Sequence, residues 1–471
     1  MPRYFVTLIV AVALFMETMD STVIATSLPA IAADLGQDPI ALKLALTSYL
    51  LSLAVFIPLS GWVADRFGAR TVFRAAIVVF TLGSALCGFA QGLPDFVLYR
   101  ILQGMGGAMM VPVGRLVILR MVPKSELISA LAWLTIPALL GPVMGPPLGG
   151  FITTYISWRW IFWINIPVGV LGVILATYFV ANVREEDMPP LDVKGFILSG
   201  IGLAGLAFGL TTIGQGLFPP SAVLGLIAVG GLGCWLYVRH ARQAKAPLLD
   251  LNLLKIETFY ASVVGGFLFR VGIGAMPFLL PLLFQLGFGM TPFQSGLLTV
   301  AGAIGAVTMK ATAARILRRF GFRRVLLINA LVSSLFLAAS ALFQPGVPLI
   351  VIFAVLLVGG FFKSLQFTSI NTLAYADIEP KAMSRATSFA SVVQQLSLSA
   401  GVAIGALILE LERMGRHATN VEASDFITAF LVVAAIAASS ALIFVGLPQE
   451  AGASLSRARP LRVPQDSVSQ A

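Results

Sequence analysis

The 471-residue chain has only two cysteines and two histidines. That leaves almost no material for a disulfide scaffold, a zinc cage or a histidine-based triad. Charge is also scarce, at 11% of residues against roughly 25% in an ordinary soluble domain. No metal site, no cofactor and no enzyme chemistry is expected from such a composition. What the chain has instead is apolar surface: 58% of its residues are hydrophobic and its mean hydropathy is +0.94. Its net charge of +10 would suit a polyanion only if the basic residues shared a solvated face. They lie between apolar runs, so a nucleic-acid partner is excluded and the lipid bilayer becomes the expected surrounding.

A helix crosses a bilayer with roughly 20 apolar residues. Fourteen stretches bounded by charge, proline or glycine meet that need, near 4–28, 42–60, 71–92, 95–119, 128–152, 160–181, 194–215, 221–238, 258–284, 294–316, 324–343, 347–373, 384–410 and 424–446. Arg3 and the small residues Ala30-Ile31-Ala32 give the first stretch the outline of a signal peptide, but Glu17 and Asp20 inside its apolar region argue for a retained helix. With the N-terminus inside, 22 Lys and Arg gather on one side, from Arg3, Arg66, Arg70 and Arg74 through Lys124 to the Arg315–Arg324 cluster, Lys381, Arg457, Arg459 and Arg462. Only Lys43, Arg159, Arg413 and Arg416 fall on the other. The bias predicts an even number of spans with both termini in the cytoplasm.

The chain repeats itself at an offset of 253 residues. Asp65-Arg66-Phe67-Gly68-Ala69-Arg70-Thr71-Val72 falls on Arg318-Arg319-Phe320-Gly321-Phe322-Arg323-Arg324-Val325. The same register carries Gly36 to Gly289, Pro39 to Pro292, Gln91 to Gln344 and Gly106-Gly107 to Gly359-Gly360. The expected fold is therefore an all-α polytopic membrane protein of 14 transmembrane helices arranged 6+2+6, two parallel six-helix bundles around a central cavity. The first bundle spans 1–185, two extra helices and a basic link span 186–256, the second bundle spans 257–447, and a mobile tail spans 448–471. Parallel repeats meeting at a midplane site are the logic of a secondary transporter.

Five segments resemble one family. Gly61-Trp62-Val63-Ala64-Asp65-Arg66-Phe67-Gly68-Ala69-Arg70, in the link between spans 2 and 3, is similar to the signature loop of the major facilitator superfamily. Its Gly61, Asp65, Arg66, Gly68 and Arg70 form a candidate conformational switch, with Gly68 permitting a tight turn. The second copy carries Arg318 where the first has Asp65. Arg100-Ile101-Leu102-Gln103-Gly104-Met105-Gly106-Gly107 resembles the family's intramembrane arginine motif. Gly141-Pro142-Val143-Met144-Gly145-Pro146-Pro147-Leu148-Gly149-Gly150 resembles the motif of its antiporters. Asp20-Ser21-Thr22-Val23 with Leu28-Pro29, and Trp158-Arg159-Trp160-Ile161-Phe162 with Asn165-Ile166-Pro167-Val168-Gly169, resemble the fourteen-helix drug:proton antiporter branch. The resemblance implies proton-coupled export of small molecules from a bacterial inner membrane, by a monomer energised by the proton gradient. Read physically, Gly141, Gly145 and Gly149 make a smooth stripe for close helix contact, and Pro142, Pro146 and Pro147 bend the helix. Gly200-Ile201-Gly202-Leu203-Ala204-Gly205 matches a dinucleotide fingerprint literally, but lies in an apolar helix with no strand before it.

Seven charges fall inside spans, clear of their approximate ends: Glu17, Asp20, Arg100, Arg115, Arg270, Lys310 and Lys363. Each costs on the order of 2.5–3.5 kcal/mol at a helix centre on the translocon scale, so they point to a polar interior. Glu17 and Asp20 share a helix face. Asp20 is expected to pair with Arg100 and to release it on protonation, with Glu17 the rival proton carrier. Arg270, Lys363, Gln103 and Arg115 are the candidate cavity residues, although snorkelling accounts equally for Arg115 and Lys310. The intramembrane sum of +3 keeps a second function open, transport of a defined anionic metabolite. A third, a non-transporting membrane sensor, has no sizeable soluble domain to support it. Gln215 is the one polar landmark of the extra spans, and the loop at 411–423 is expected to be a solvated face.

Overall fold

The computed structural model describes residues 4–121, 127–182, 184, 190–213, 218–379, 382–418 and 420–452. Arg3, Lys124, Lys381, Gln215 and the tail arginines Arg457, Arg459 and Arg462 lie outside the described residues. Every regular element among the described residues is helical. In lipid each backbone N–H and C=O needs a partner from the protein, and a helix supplies one within its own segment.

Thirteen helices are long and apolar enough to cross a membrane, and Leu127–Tyr155, a helix of 29 residues, joins them. In chain order we label them α1 (Val6–Asp34), α2 (Lys43–Phe67), α3 (Ala69–Gly88), α4 (Leu93–Ile118), α5 (Leu127–Tyr155), α6 (Trp160–Phe179), α7 (Val193–Thr212), α8 (Pro220–Ala241), α9 (Glu257–Gly287), α10 (Pro292–Lys310), α11 (Phe322–Leu342), α12 (Leu349–Leu373), α13 (Met383–Gly415) and α14 (Asp425–Val445). The order is consistent with the 6+2+6 layout. Side chains such as Tyr178, Ile350 and Leu442 stand exposed on the flanks, where hydrocarbon is the natural solvent.

The repeat is legible in the backbone. Within α2 the segment Ser60–Phe67 is one helix, and its counterpart Ala313–Phe320 has the same bounds 253 residues on. Each ends at a glycine of positive φ, Gly68 at 93° and Gly321 at 74°, whose N–H closes the last turn on the carbonyl of Ala64 or Leu317. Gly36 and Gly289, paired by the same register, have φ of 62° and 68°. An L side chain is strained at these angles.

The extra helices form a hairpin. Asp192 caps the start of α7 by accepting from Gly195 N at 2.8 Å, and lies 2.7 Å from His240 Nε2 at the end of α8. Gly202 packs on the backbone of Cys234 and Gly205 on Gly230. The glycines of the literal nucleotide fingerprint thus serve helix contact. Phe196 of α7 meets Phe56 of α2 at 5.9 Å, and Gly200 faces Val55, so the hairpin leans on the first bundle. In an 18-residue stretch of each helix, only 22% of α7 and 17% of α8 is buried, against 83% of α9, which places the pair at the periphery and α9 at the centre.

Candidate functional site

A polar cluster is built inside the first six helices. Glycines bring its walls together: Gly83 of α3 lies on the backbone of Gln103, Gly104 of α4 on Ser52 and Tyr49 of α2, and Gly106 on Phe80 of α3. Close approach of α2, α3 and α4 aims Arg100 at α1. Its NH1 donates to Asp20 Oδ2 at 2.8 Å and to Gln103 Oε1 at 2.6 Å, and its Nε donates to the Ala45 carbonyl at 3.2 Å. The other carboxylate oxygen, Asp20 Oδ1, accepts from Gln103 Nε2 at 2.8 Å and Asn165 Nδ2 at 3.0 Å. Asn165 also reaches Ser84 Oγ at 3.0 Å. Asp20, Arg100, Gln103 and Asn165 are each 0% exposed. The guanidinium stacks 4.2 Å above the Tyr49 ring, and Tyr49 donates its hydroxyl to Glu17 at 3.1 Å. One negative and one positive group, paired and hydrogen-bonded, can be buried where either alone could not.

Asp20 and Arg100 therefore stand within pairing distance, as their positions in the sequence predict. Gln103, expected in the cavity, instead belongs to this cluster, because its i, i+3 spacing from Arg100 puts both on the inward face of α4.

The cavity itself, of about 320 Å³, lies between the two halves. α1 contributes Ser21, Thr22, Ala25 and Thr26, and a 3-10 turn at Ile24–Ser27 interrupts the helix there. α5 contributes Pro142 and Pro146, and the remaining wall comes from α9, α10, α11 and α12. Lys363 of α12 is the one charged residue lining it among the described residues. Arg270 turns away, donating to Asn371 Oδ1 at 2.7 Å and stacking on Phe367. Arg115 is exposed and does not line this cavity, while Lys310 donates to Thr368 at 3.0 Å.

The glycines of α5 make the contacts their spacing predicts. Gly141 and Gly145 lie on Thr18 and Thr22, and Gly149 on the Val23 carbonyl, so α5 seats closely on α1. Gly150 meets Pro292 and Phe293 of α10, and Gly296 of α10 returns the contact on Pro146 and Pro147. Further ties join the halves at this same end, opposite the arginine-rich one. Gln285 Nε2 donates to the Thr26 carbonyl at 2.9 Å, and Phe293 N to Thr154 Oγ1 at 3.2 Å. Arg413 pairs with Asp38, and Lys43 lies 3.7 Å from Glu410. The 411–423 region is thus no simple solvated face, since α13 runs on to Gly415 and carries Arg413 across to the other half.

In the switch segment, Gly68 abuts Asn182, whose Oδ1 accepts from Thr71 N at 3.3 Å. Gly61 has open space around it, and Arg66 is exposed. Asp65 is partnered, and the Arg70 Nε is buried without a hydrogen bond.

Sequence reasoning assigned no role to Tyr49, Asn165, Lys43 or Glu410. Asn165 could have been found from its motif, and Lys43 and Glu410 from their isolation beside long apolar runs.

A family model for the major facilitator superfamily matches residues 10–402 and 262–465. The chain belongs to that superfamily. Relatives in the superfamily include proteins provisionally named multidrug resistance protein MdtD. That of Yersinia enterocolitica is 40% identical over 451 residues, covering 94% of this chain and 95% of its own. That of Escherichia coli is 38% identical over 465 residues, covering 97% of each. Among solved structures, the D-xylose-proton symporter shares the fold with a TM-score of 0.67 at 16% identity, covering 95% of this chain and 99% of its own. The nucleoside transporter NupG does so with a TM-score of 0.64 at 13% identity, covering 93% and 99%. This major facilitator superfamily protein is a multi-pass membrane transporter of small molecules.

Proposed function

We propose that the protein exports small amphipathic compounds across the bacterial inner membrane in exchange for protons, as a multidrug efflux antiporter. One observation carries the reading: Asp20, buried against Arg100, is followed immediately by Ser21 and Thr22 on the cavity wall. Protonating Asp20 removes the charge that neutralises Arg100. The cluster then loses its strongest bond, and α1 is free to shift against the glycine face of α5. A change at the buried carboxylate is thereby felt at the cavity and at the tie between the halves. The ties at the end away from the arginine clusters support a state closed to the outside, with both termini in the cytoplasm. The names of the MdtD relatives support drugs as cargo. Glu17, one turn away and held by Tyr49, is the competing proton carrier.

The test uses proteoliposomes with an imposed pH gradient, recording proton movement as single compounds are added. Compound-triggered flux is expected in wild type and in Glu17→Gln, and absent in Asp20→Asn. Full coupled transport by Asp20→Asn would end the assignment to Asp20.

A further inference from the structure

The cavity has one polar pole. Lys363 projects from the α12 face that also carries Val355, Leu356, Gly359 and Gly360 to the wall, and none of the described residues forms an ion pair or hydrogen bond with it. No acidic side chain lines the cavity among the described residues. On α11, Ser333 lines the same space, is 3% exposed, and its hydroxyl is buried without a hydrogen-bond partner. The other hydroxyls of the wall are committed to backbone. Ser21 donates to Thr18 O, Thr22 to Gly141 O and its own helix, Thr26 to Pro146 O, Thr299 to Ser295 O and Ser340 to Phe336 O. The rest of the wall is largely apolar and includes Phe269, Ile273, Met276 and Leu280 of α9.

We infer that Lys363 and Ser333 form an anion subsite, and that the cargo is an amphipathic organic anion whose carboxylate, or a similar group, docks there. An ammonium facing hydrocarbon-like walls is costly without a counter-charge. With no carboxylate of the protein supplying one, the cargo is the natural source. A charged lysine and a free hydroxyl offer complementary donors to one anionic oxygen pair. The remainder of such a molecule is covered by the α9 side chains, so one negative charge on an apolar body fits and a lipophilic cation meets like charge. The inference rests on the transport reading above and narrows its substrate class.

Two fluorescent probes sharing one apolar body separate the charges: dansylglycine, a carboxylate, and dansylcadaverine, an ammonium. Binding is titrated with the purified full chain. Wild type is expected to prefer dansylglycine by roughly tenfold or more, a preference retained by Lys363→Arg and removed by Lys363→Gln. Ser333→Ala should weaken dansylglycine severalfold and leave dansylcadaverine unchanged, which a merely structural defect would not do. Preference for dansylcadaverine in wild type, or unchanged dansylglycine binding in Lys363→Gln, overturns the subsite. Proteoliposome flux with both probes keeps the two readings apart. If dansylcadaverine is exported equally by wild type and Lys363→Gln, the substrate class fails while transport stands. If the binding preference holds yet no probe crosses, transport fails while the subsite stands.

Discussion

Lys43 of α2 and Glu410 of α13 form an ion pair of 3.7 Å between the two halves of the bundle, with 1% and 3% of the residues exposed. Arg413 and Asp38 make a parallel tie close by in sequence, but the Asp38 side chain is 37% exposed. Burial decides which tie matters. Removing one member of a buried pair costs roughly 3–5 kcal/mol, because the other is left as an uncompensated charge, whereas an exposed pair contributes about 1 kcal/mol or less. Glu410→Gln should therefore lower the thermal unfolding midpoint of the purified protein clearly more than Asp38→Asn. Exchanging the charges, Lys43→Glu with Glu410→Lys, should restore a large part of the loss. Equal midpoints for wild type and Glu410→Gln would show that the pair holds nothing together.

Asn165 is the positioning residue of the Asp20 cluster. Its amide nitrogen bridges Asp20 and Ser84, tying α6 to α1 and α3. Asn165→Ala leaves a buried carboxylate oxygen with one donor fewer, a loss of about 1–3 kcal/mol. Compound-triggered proton flux should fall with it, while binding of a cavity probe in detergent stays near wild type, since Asn165 does not line the cavity. A variant that loses binding and keeps flux would contradict that placement.

The fold was largely legible because bilayer physics writes itself into composition. Runs between charges gave the spans, and the 253-residue register gave pairs such as Gly68 with Gly321, whose backbone angles agree. The Asp20–Arg100 pairing was legible for the same reason, since a charge inside a span must find its opposite. What failed to show was which face each residue takes. Gln103 and Arg270 sit at depths that suit a cavity, but helix rotation turns one toward Asp20 and the other toward Asn371. The Lys43–Glu410 tie escaped for another reason. Its members are far apart in sequence and lie at span ends, where a charge is ordinarily solvated.

Gly68 and Gly321 share a conformation but not a neighbourhood. Both combine positive φ with ψ of 134° and 162°, outside the left-handed helical well, so alanine is strained at either by about 1–3 kcal/mol. Gly68 additionally has Asn182 where a Cβ would stand, while Gly321 has nothing within 4 Å. Gly68→Ala should therefore destabilise the protein more than Gly321→Ala. Adding Asn182→Ala should bring the two copies level in thermal midpoint. If Gly321→Ala is the more damaging, backbone strain at the second copy outweighs crowding at the first.

Gly150 tests whether the α5–α10 crossing is the seal. A Cβ there falls on backbone atoms of Pro292 and Phe293, which cannot rotate aside as a side chain can. Alanine must push α10 away from α5 at the end where Lys43–Glu410 and Gln285–Thr26 also join the halves. An arrangement open at that end has no such clash, so the substitution biases the protein toward it. The readout is a single cysteine at Thr299, on the cavity wall, in a chain whose Cys87 and Cys234 are replaced by alanine. A membrane-impermeant maleimide added outside right-side-out vesicles should label it faster in Gly150→Ala than in the unsubstituted background. Gly231→Ala in α8 serves as the control, because nothing lies within 4 Å of a Cβ at Gly231 and labelling should not change. Faster labelling in Gly150→Ala with Gly231→Ala unchanged places the outer seal at the glycine crossing. Identical labelling in all three would leave the charge pairs to close the outer end without it.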